Sequence, residues 1–145
     1  MNDTETEKRT GLEWSFAVEW GKAREFARAV YDDHWNDSDF LPPPTFPIYA
    51  TADFIERLIV EQLRLDRRRI VHGEESFEYL RPLHVGDRLI CRARVVEDYV
   101  KEGRRGGRMR FIVCEIEMRD AESGELVLRE RSTAIETAAT EEASS

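Results

Sequence analysis

Apolar residues recur along this chain with two different periods, and the switch between them marks its organisation. From Trp14 to Trp20 they alternate: Trp14, Phe16, Val18 and Trp20 fall on one face, Ser15, Ala17 and Glu19 on the other. Alternation at period two predicts a short strand. Gly21 ends it, and Lys22 to Tyr31 then sets Ala23, Phe26, Ala27, Val30 and Tyr31 at helical spacing. The next run, Asp32 to Pro44 (DDHWNDSDFLPPP), is rich in Asp, Asn and Ser and closes on three prolines, the composition of a loop. A second helix is predicted from Ile48 to Leu65. Its apolar residues Ala52, Phe54, Ile55, Leu58, Ile59 and Leu63 occupy most of its circumference, so it is buried on more than one side. Thr51 or Thr45 is the expected cap, and Asp53 suits the first turn.

Beyond Arg67-Arg68-Arg69 the period changes. Ile70 to Arg81, Asp87 to Glu102, Met109 to Asp120 and Leu126 to Thr137 are rich in β-branched and aromatic residues. His84-Val85-Gly86-Asp87, Gly103 to Gly107 and Ser123-Gly124 supply the turns between them. Within the second of these strands Leu89, Cys91, Ala93 and Val95 alternate, then Val96 and Val100 fall out of phase, which predicts a bulge. The order is strand, helix, loop, buried helix and four antiparallel strands: an α+β fold in which a sheet curls around one helix. One domain is expected over residues 13–137, with polar tails at 1–12 and 138–145.

The chain has 145 residues, enough for one ordinary domain. Its formal charge is 22 − 30 = −8, which argues against nucleic acid or an anionic membrane as a partner. No apolar run approaches the roughly 20 residues of a membrane-spanning helix, and no secretory leader pattern begins the chain. A cytoplasmic domain is the expectation. A symmetric hairpin centred near Arg105 sets Cys91 opposite Arg119, about five residues or roughly 17 Å from Cys114. Free buried thiols are therefore expected rather than a disulfide.

Candidate chemistry is sparse. His34, His72 and His84 show no ligand spacing, so no metal site is expected, and no nucleophile elbow or phosphate-cradling glycine loop is present. The turn Lys101 to Arg110 (KEGRRGGRMR) is cationic within an acidic chain. Arg104, Arg105 and Arg108 there are either a solvated hairpin tip or a landing site for an anionic group, and Arg67 to Arg69 carry the same two readings. Asp32, Asp33, His34, Asp37 and Asp39 crowd one loop, where either an acid–base site or ordinary loop polarity accounts for them.

The run His72-Gly73-Glu74-Glu75-Ser76-Phe77-Glu78-Tyr79-Leu80-Arg81-Pro82-Leu83, followed by Val85-Gly86-Asp87, resembles the strand–turn signature of MaoC-like hot-dog proteins. Lys101 to Met109, Arg131-Ser132-Thr133, Arg24 to Ala29 and Pro43 to Pro47 resemble it too. The nearest subgroup is the FAS1-like N-terminal dehydratase half, which includes the accessory subunits of heterodimeric (3R)-hydroxyacyl-ACP dehydratases. The resemblance implies a hot-dog fold and reversible loss of water from a hydroxyacyl thioester. Its catalytic members carry D-x-N-P-x-H on the loop after the first helix, with backbone N–H groups at the central helix polarising the thioester. Here the fifth residue after Asp32 is Asp37 and after Asp33 is Ser38, and no Asn-Pro pair occurs. The resemblance thus implies a non-catalytic subunit that forms a homodimer or heterodimer with a dyad-bearing hot-dog subunit. It implies acyl-CoA or acyl-ACP as substrate and no further cofactor. Phe46, Ile48 and Tyr49 are expected to line the acyl channel, with ordinary core as the competing reading, and His72 and Glu74 to brace the adjoining strand. A self-sufficient hydratase or thioesterase using Asp32, Asp33 and His34 is one alternative, and a non-enzymatic acyl-thioester binding module is another.

Overall fold

A computed structural model describes residues 11–36 and 41–139. Asp37 and Asp39 of the acidic loop, and most of both polar tails, lie outside the described residues. The elements are β1 (Leu12–Ala17), α1 (Trp20–Ala29), α2 (Pro47–Glu56), β2 (Ile70–Tyr79), β3 (Arg88–Glu102), β4 (Arg108–Asp120) and β5 (Leu126–Glu136). α2 continues as a π-helical turn over Arg57–Gln62, and a 3₁₀ turn at Arg67–Arg69 leads into β2. The strands form one antiparallel sheet in the order β1-β3-β4-β5-β2. β1 and β2 are its two edges.

The sheet buries one face against α2. Leu89, Cys91 and Ala93 of β3, Ile112, Cys114, Ile116 and Met118 of β4 and Leu128 of β5 are all buried, and Leu58 and Ile55 of the helical segment join their core. Burying one such side chain contributes about 1.5–3 kcal/mol. The opposite face takes much of the charge: Arg94 pairs with Glu115 at 2.8 Å, Arg131 with Glu97 at 2.8 Å and Arg119 with Glu117 at 3.1 Å.

Trp14 fastens α2 to β1. Its indole Nε1–H donates to the Ala50 carbonyl at 3.0 Å, and its ring stacks on Phe54 at 4.1 Å. At the other end of the helix the backbone widens: Leu63 N–H reaches the Leu58 carbonyl at 3.1 Å, an i→i+5 bond. Arg64 closes the segment with φ +60°.

Several sequence expectations are corrected. Trp20 opens α1 instead of ending β1, because Val18 leaves the β1–β3 ladder to exchange backbone bonds with Gly86 and Asp87 in the turn before β3. Neither Thr45 nor Thr51 caps α2. Phe46 holds the N-cap position without a side-chain bond, Pro47 follows it, and Thr51 is buried one turn inside the helix. The expected bulge in β3 falls between Val95 and Glu97. It also shifts the register, so Cys91 faces Met118 instead of Arg119, and Cys114 faces Val95. Both cysteines are free and buried, and burial pushes both thiols up to about 12.

Two further sequence features are explained by the turns they build. Gly106 and Gly107, at φ +82° and +84°, form the β3–β4 turn, where Gly103 N–H donates to the Gly107 carbonyl at 2.8 Å. The Arg81-Pro82 and Val85-Gly86-Asp87 motifs form one latch. The Arg81 guanidinium donates to Asp87 at 2.8 Å and to the Pro82 carbonyl at 2.9 Å, while Asp87 accepts the His84 N–H at 2.9 Å.

Candidate functional site: a cleft at the open edge of the sheet

Ile48, Ala52, Ile55 and Ile59 recur at i, i+4, i+7 and i+11, one apolar stripe of the central helix. Thr51 and Leu58, on the other side, meet the chain's own sheet and are fully buried. The stripe also borders the β2 edge, with Ile55 and Ile59 shared with the core, and between stripe and edge lies a cleft of about 310 Å³. Val60, Ile70, Val71 and Ala134 complete its apolar lining, while His72, Glu75 and Ser132 supply polar groups from β2 and β5. Glu56 and Arg67 stand at its rim, joined at 2.8 Å. The volume is at the small end of the range for small-molecule sites, about 300–1,000 Å³.

A hydrogen-bonded chain runs from this cleft into the core. A bulge between His72 and Glu74 puts His72 and Glu75 on the same face, so Glu75 turns inward and Glu74 stays exposed. The two residues expected to brace this strand were His72 and Glu74; the bulge exchanges Glu74 for its neighbour. His72 Nε2 lies 2.7 Å from Glu75 Oε2. Glu130, fully buried on β5, accepts the Thr51 hydroxyl at 2.8 Å. Glu75 Oε1 and Glu130 Oε2 are both buried, and as two carboxylates they lack a donor. A proton on Glu130 would supply it, as a bond donated to the adjacent Glu75. Burial, reinforced by the Glu75 carboxylate, pushes Glu130 up to about 9. Glu130 therefore holds a proton at neutral pH, which avoids two like charges side by side in the core.

Sequence reasoning missed this group. The available signal was the inward row of β5, Leu128, Glu130, Ser132 and Ala134, where an apolar alternation is interrupted by two polar residues. That Glu130 meets Glu75 depends on β2 lying beside β5.

The expected site residues are dispersed. Asp33 and His34 are exposed in the loop after α1, and Asp32 accepts the His34 N–H at 2.8 Å in a local turn. Phe46 is fully buried among Phe16, Phe26 and Tyr49. Ile48 lines the cleft, whereas Tyr49 is 47% exposed and lies under Lys22. At the start of α2, Pro47 has no N–H, and those of Ile48 and Tyr49 already go to the Thr45 and Phe46 carbonyls. Arg104, Arg105 and Arg108 are exposed around the β3–β4 turn. Arg67 pairs with Glu56, and Arg68 and Arg69 pair with Asp66. Among the described residues, no group of three His, Cys, Asp or Glu side chains is placed to hold a metal ion. No helix among them is long and apolar enough to cross a membrane.

Residues 8–130 match the family model described as the FAS1-like dehydratase domain region. A UPF0336 protein of Thermobifida fusca (strain YX) is 36% identical over 88 residues, covering 52% of this chain and 58% of the relative. The chain thus spans a little over half the length of that curated relative. Among solved structures it is similar to the C-terminally truncated HadBC (3R-hydroxyacyl-ACP dehydratase) complex of Mycobacterium tuberculosis. That match has a TM-score of 0.66 and 24% identity, covering 90% of this chain and 98% of that one. The ChsH1-ChsH2 complex of the same organism matches with a TM-score of 0.68 and 14% identity, covering 96% of this chain and 91% of the other. At these identities the likeness shows the fold: a five-stranded hot dog around a central helix.

Proposed function

The chain belongs to the FAS1-like dehydratase domain family, a MaoC-like hot-dog group, and from that premise we propose that it is the dyad-free subunit of a hydroxyacyl-thioester dehydratase or enoyl-thioester hydratase. In this reading the β2 edge pairs with a second hot-dog subunit, preferentially one that brings an Asp and a His. The cleft beside α2 then becomes one wall of a shared acyl channel in a cytoplasmic enzyme acting on acyl-CoA or acyl-ACP. Two of the similar solved structures are complexes of differently named subunits, which supports a heteromeric arrangement.

The observation that carries the reading is a separation. Removal of an α-proton needs a base within hydrogen-bond reach of the substrate. His34 is exposed on the loop after α1, while the apolar cleft is walled by α2, β2 and β5. An unpaired edge strand is also a ready surface for another chain.

Co-expression with a small hot-dog protein carrying D-x-N-P-x-H tests this. The expected result is a stable complex that hydrates medium-chain enoyl thioesters, with no turnover by this chain alone and nearly unchanged complex activity for His34→Ala. Loss of an essential base costs on the order of 10²-fold or more. Turnover by the isolated chain that His34→Ala abolishes would establish the self-sufficient enzyme in its place.

The arginine turn is assigned to the carrier. Arg104→Glu combined with Arg105→Glu is expected to weaken binding of acyl-ACP or acyl-CoA, and added salt to shrink the difference between variant and parent. Equal affinities at low ionic strength would leave the turn a solvated tip.

A further inference from the structure

We infer that Glu75 acts as a charge filter on the cleft: the site takes an aliphatic chain whose polar end is an uncharged hydrogen-bond donor, and refuses one that ends in a carboxylate. The inference rests on the acyl reading of the cleft and adds the class of end group that it accepts.

The charges around the cleft divide cleanly. Glu56 and Arg67 neutralise one another at the rim, with 2.8 Å between their charged atoms. On the opposite wall stand the Ser132 hydroxyl, the His72 imidazole and the Glu75 carboxylate. Glu75 is the carboxyl group on that wall, and only 14% of its side chain is exposed. Its hydrogen-bonding partner Glu130 lies behind it, fully buried, with Thr51 on the far side. Glu75 thus stands between the cleft and the protonated Glu130.

A chain entering along the Ile48, Ala52, Ile55 and Ile59 stripe brings its polar end against this wall. An O–H donates to a carboxylate oxygen that still has lone pairs, a charge-assisted bond. A ligand carboxylate has no proton to donate and meets a like charge in a confined, largely apolar space. The neighbouring cation, Arg67, is engaged with Glu56. His72, on the same wall, is already bonded to Glu75 at 2.7 Å. Specificity here is a difference of affinities produced by a repulsive element.

The test uses the full chain at pH 8 and three eight-carbon probes: 1-octanol, octanoate and the neutral thioester of octanoic acid with N-acetylcysteamine. Isothermal titration, with saturation-transfer NMR for weak binding, is expected to show octanol binding at least about tenfold more tightly than octanoate, while the thioester, whose acyl end has no donor, reports whether the cleft takes an acyl chain. Glu75→Gln keeps the shape and removes the charge. It is expected to bring octanoate within about threefold of octanol, mainly by improving octanoate. Glu122→Gln, an equal change of net charge in the exposed β4–β5 turn, is expected to leave the ratio as in the parent. Similar affinities for octanol and octanoate in the parent protein would overturn the filter, as would a ratio that Glu75→Gln leaves intact. The parent comparison stands even if the variant does not fold. If the thioester binds but the other two are not distinguished, the filter alone fails; if none of the three binds, the acyl reading of the cleft fails with it.

Discussion

A Phe46→Ala variant is expected to lose about 3–5 kcal/mol of stability, the range for truncating a fully buried aromatic residue. Phe46 has no exposed surface. It meets Phe26 edge-on with centroids 5.6 Å apart, stacks on Tyr49 at 5.8 Å and tilts against Phe16 at 6.1 Å. Each such pair adds about 0.5–1.5 kcal/mol beyond area burial. Truncation also leaves a cavity where β1, α1 and the start of α2 converge. Single domains are stable by about 5–15 kcal/mol, so this loss is a large share of the total. It will appear as a lower denaturant midpoint with an unchanged slope. A loss below about 1 kcal/mol would contradict the burial and return Phe46 to the acyl channel. Ile48, half-buried in the cleft lining, is expected to show the converse pattern on truncation, with weaker ligand binding and a smaller change in midpoint.

The second large effect concerns pH. Glu130 ionises near the ordinary glutamate value in the unfolded chain but is pushed up to about 9 in the fold. The folded state thus holds a proton that the unfolded state releases. The contribution is fully present below about pH 4.5 and is lost progressively as pH rises toward about 9. Glutamine at position 130 can donate to Glu75 and accept from Thr51 without any proton uptake. Glu130→Gln is therefore expected to be near neutral at pH 5 and stabilising at pH 8, by on the order of a few kcal/mol. Melting temperatures of parent and variant between pH 5 and pH 9 check this, because the difference between the two curves isolates the substituted group. Parallel curves would mean that Glu130 is ionised in the native state and that no proton bridges it to Glu75.

Both predictions concern residues whose importance the linear pattern conveys unevenly. Runs of β-branched and aromatic residues between turn signals located the four C-terminal strands to within two residues at each end, because such side chains suit a pleated, half-buried surface. The loss of phase at Val96 marked the bulge in β3, since one extra residue moves every later side chain to the other face. The same reasoning left the register of Cys91 one residue out, because the bulge was not carried through the hairpin count. It also misplaced Trp20: an alternating aromatic fits a strand end and a first helical turn equally well, and only the contacts of Val18 with the Gly86 turn decide between them.

What the sequence determined by itself is the set of elements, the wrapping of one helix by one sheet, and the absence of the D-x-N-P-x-H pattern after α1. Each of these is local, being written in spacings of a few residues. The tertiary structure decided which elements meet. It placed β2 beside β5 and so brought Glu75 to Glu130, turned Glu75 inward in place of Glu74 through the bulge at Gly73, and left the Ile48–Ile59 stripe beside an edge that no other described strand covers. Burial then did what no spacing reports: it removed solvent from two adjacent carboxyl groups, so that Glu130 keeps its proton.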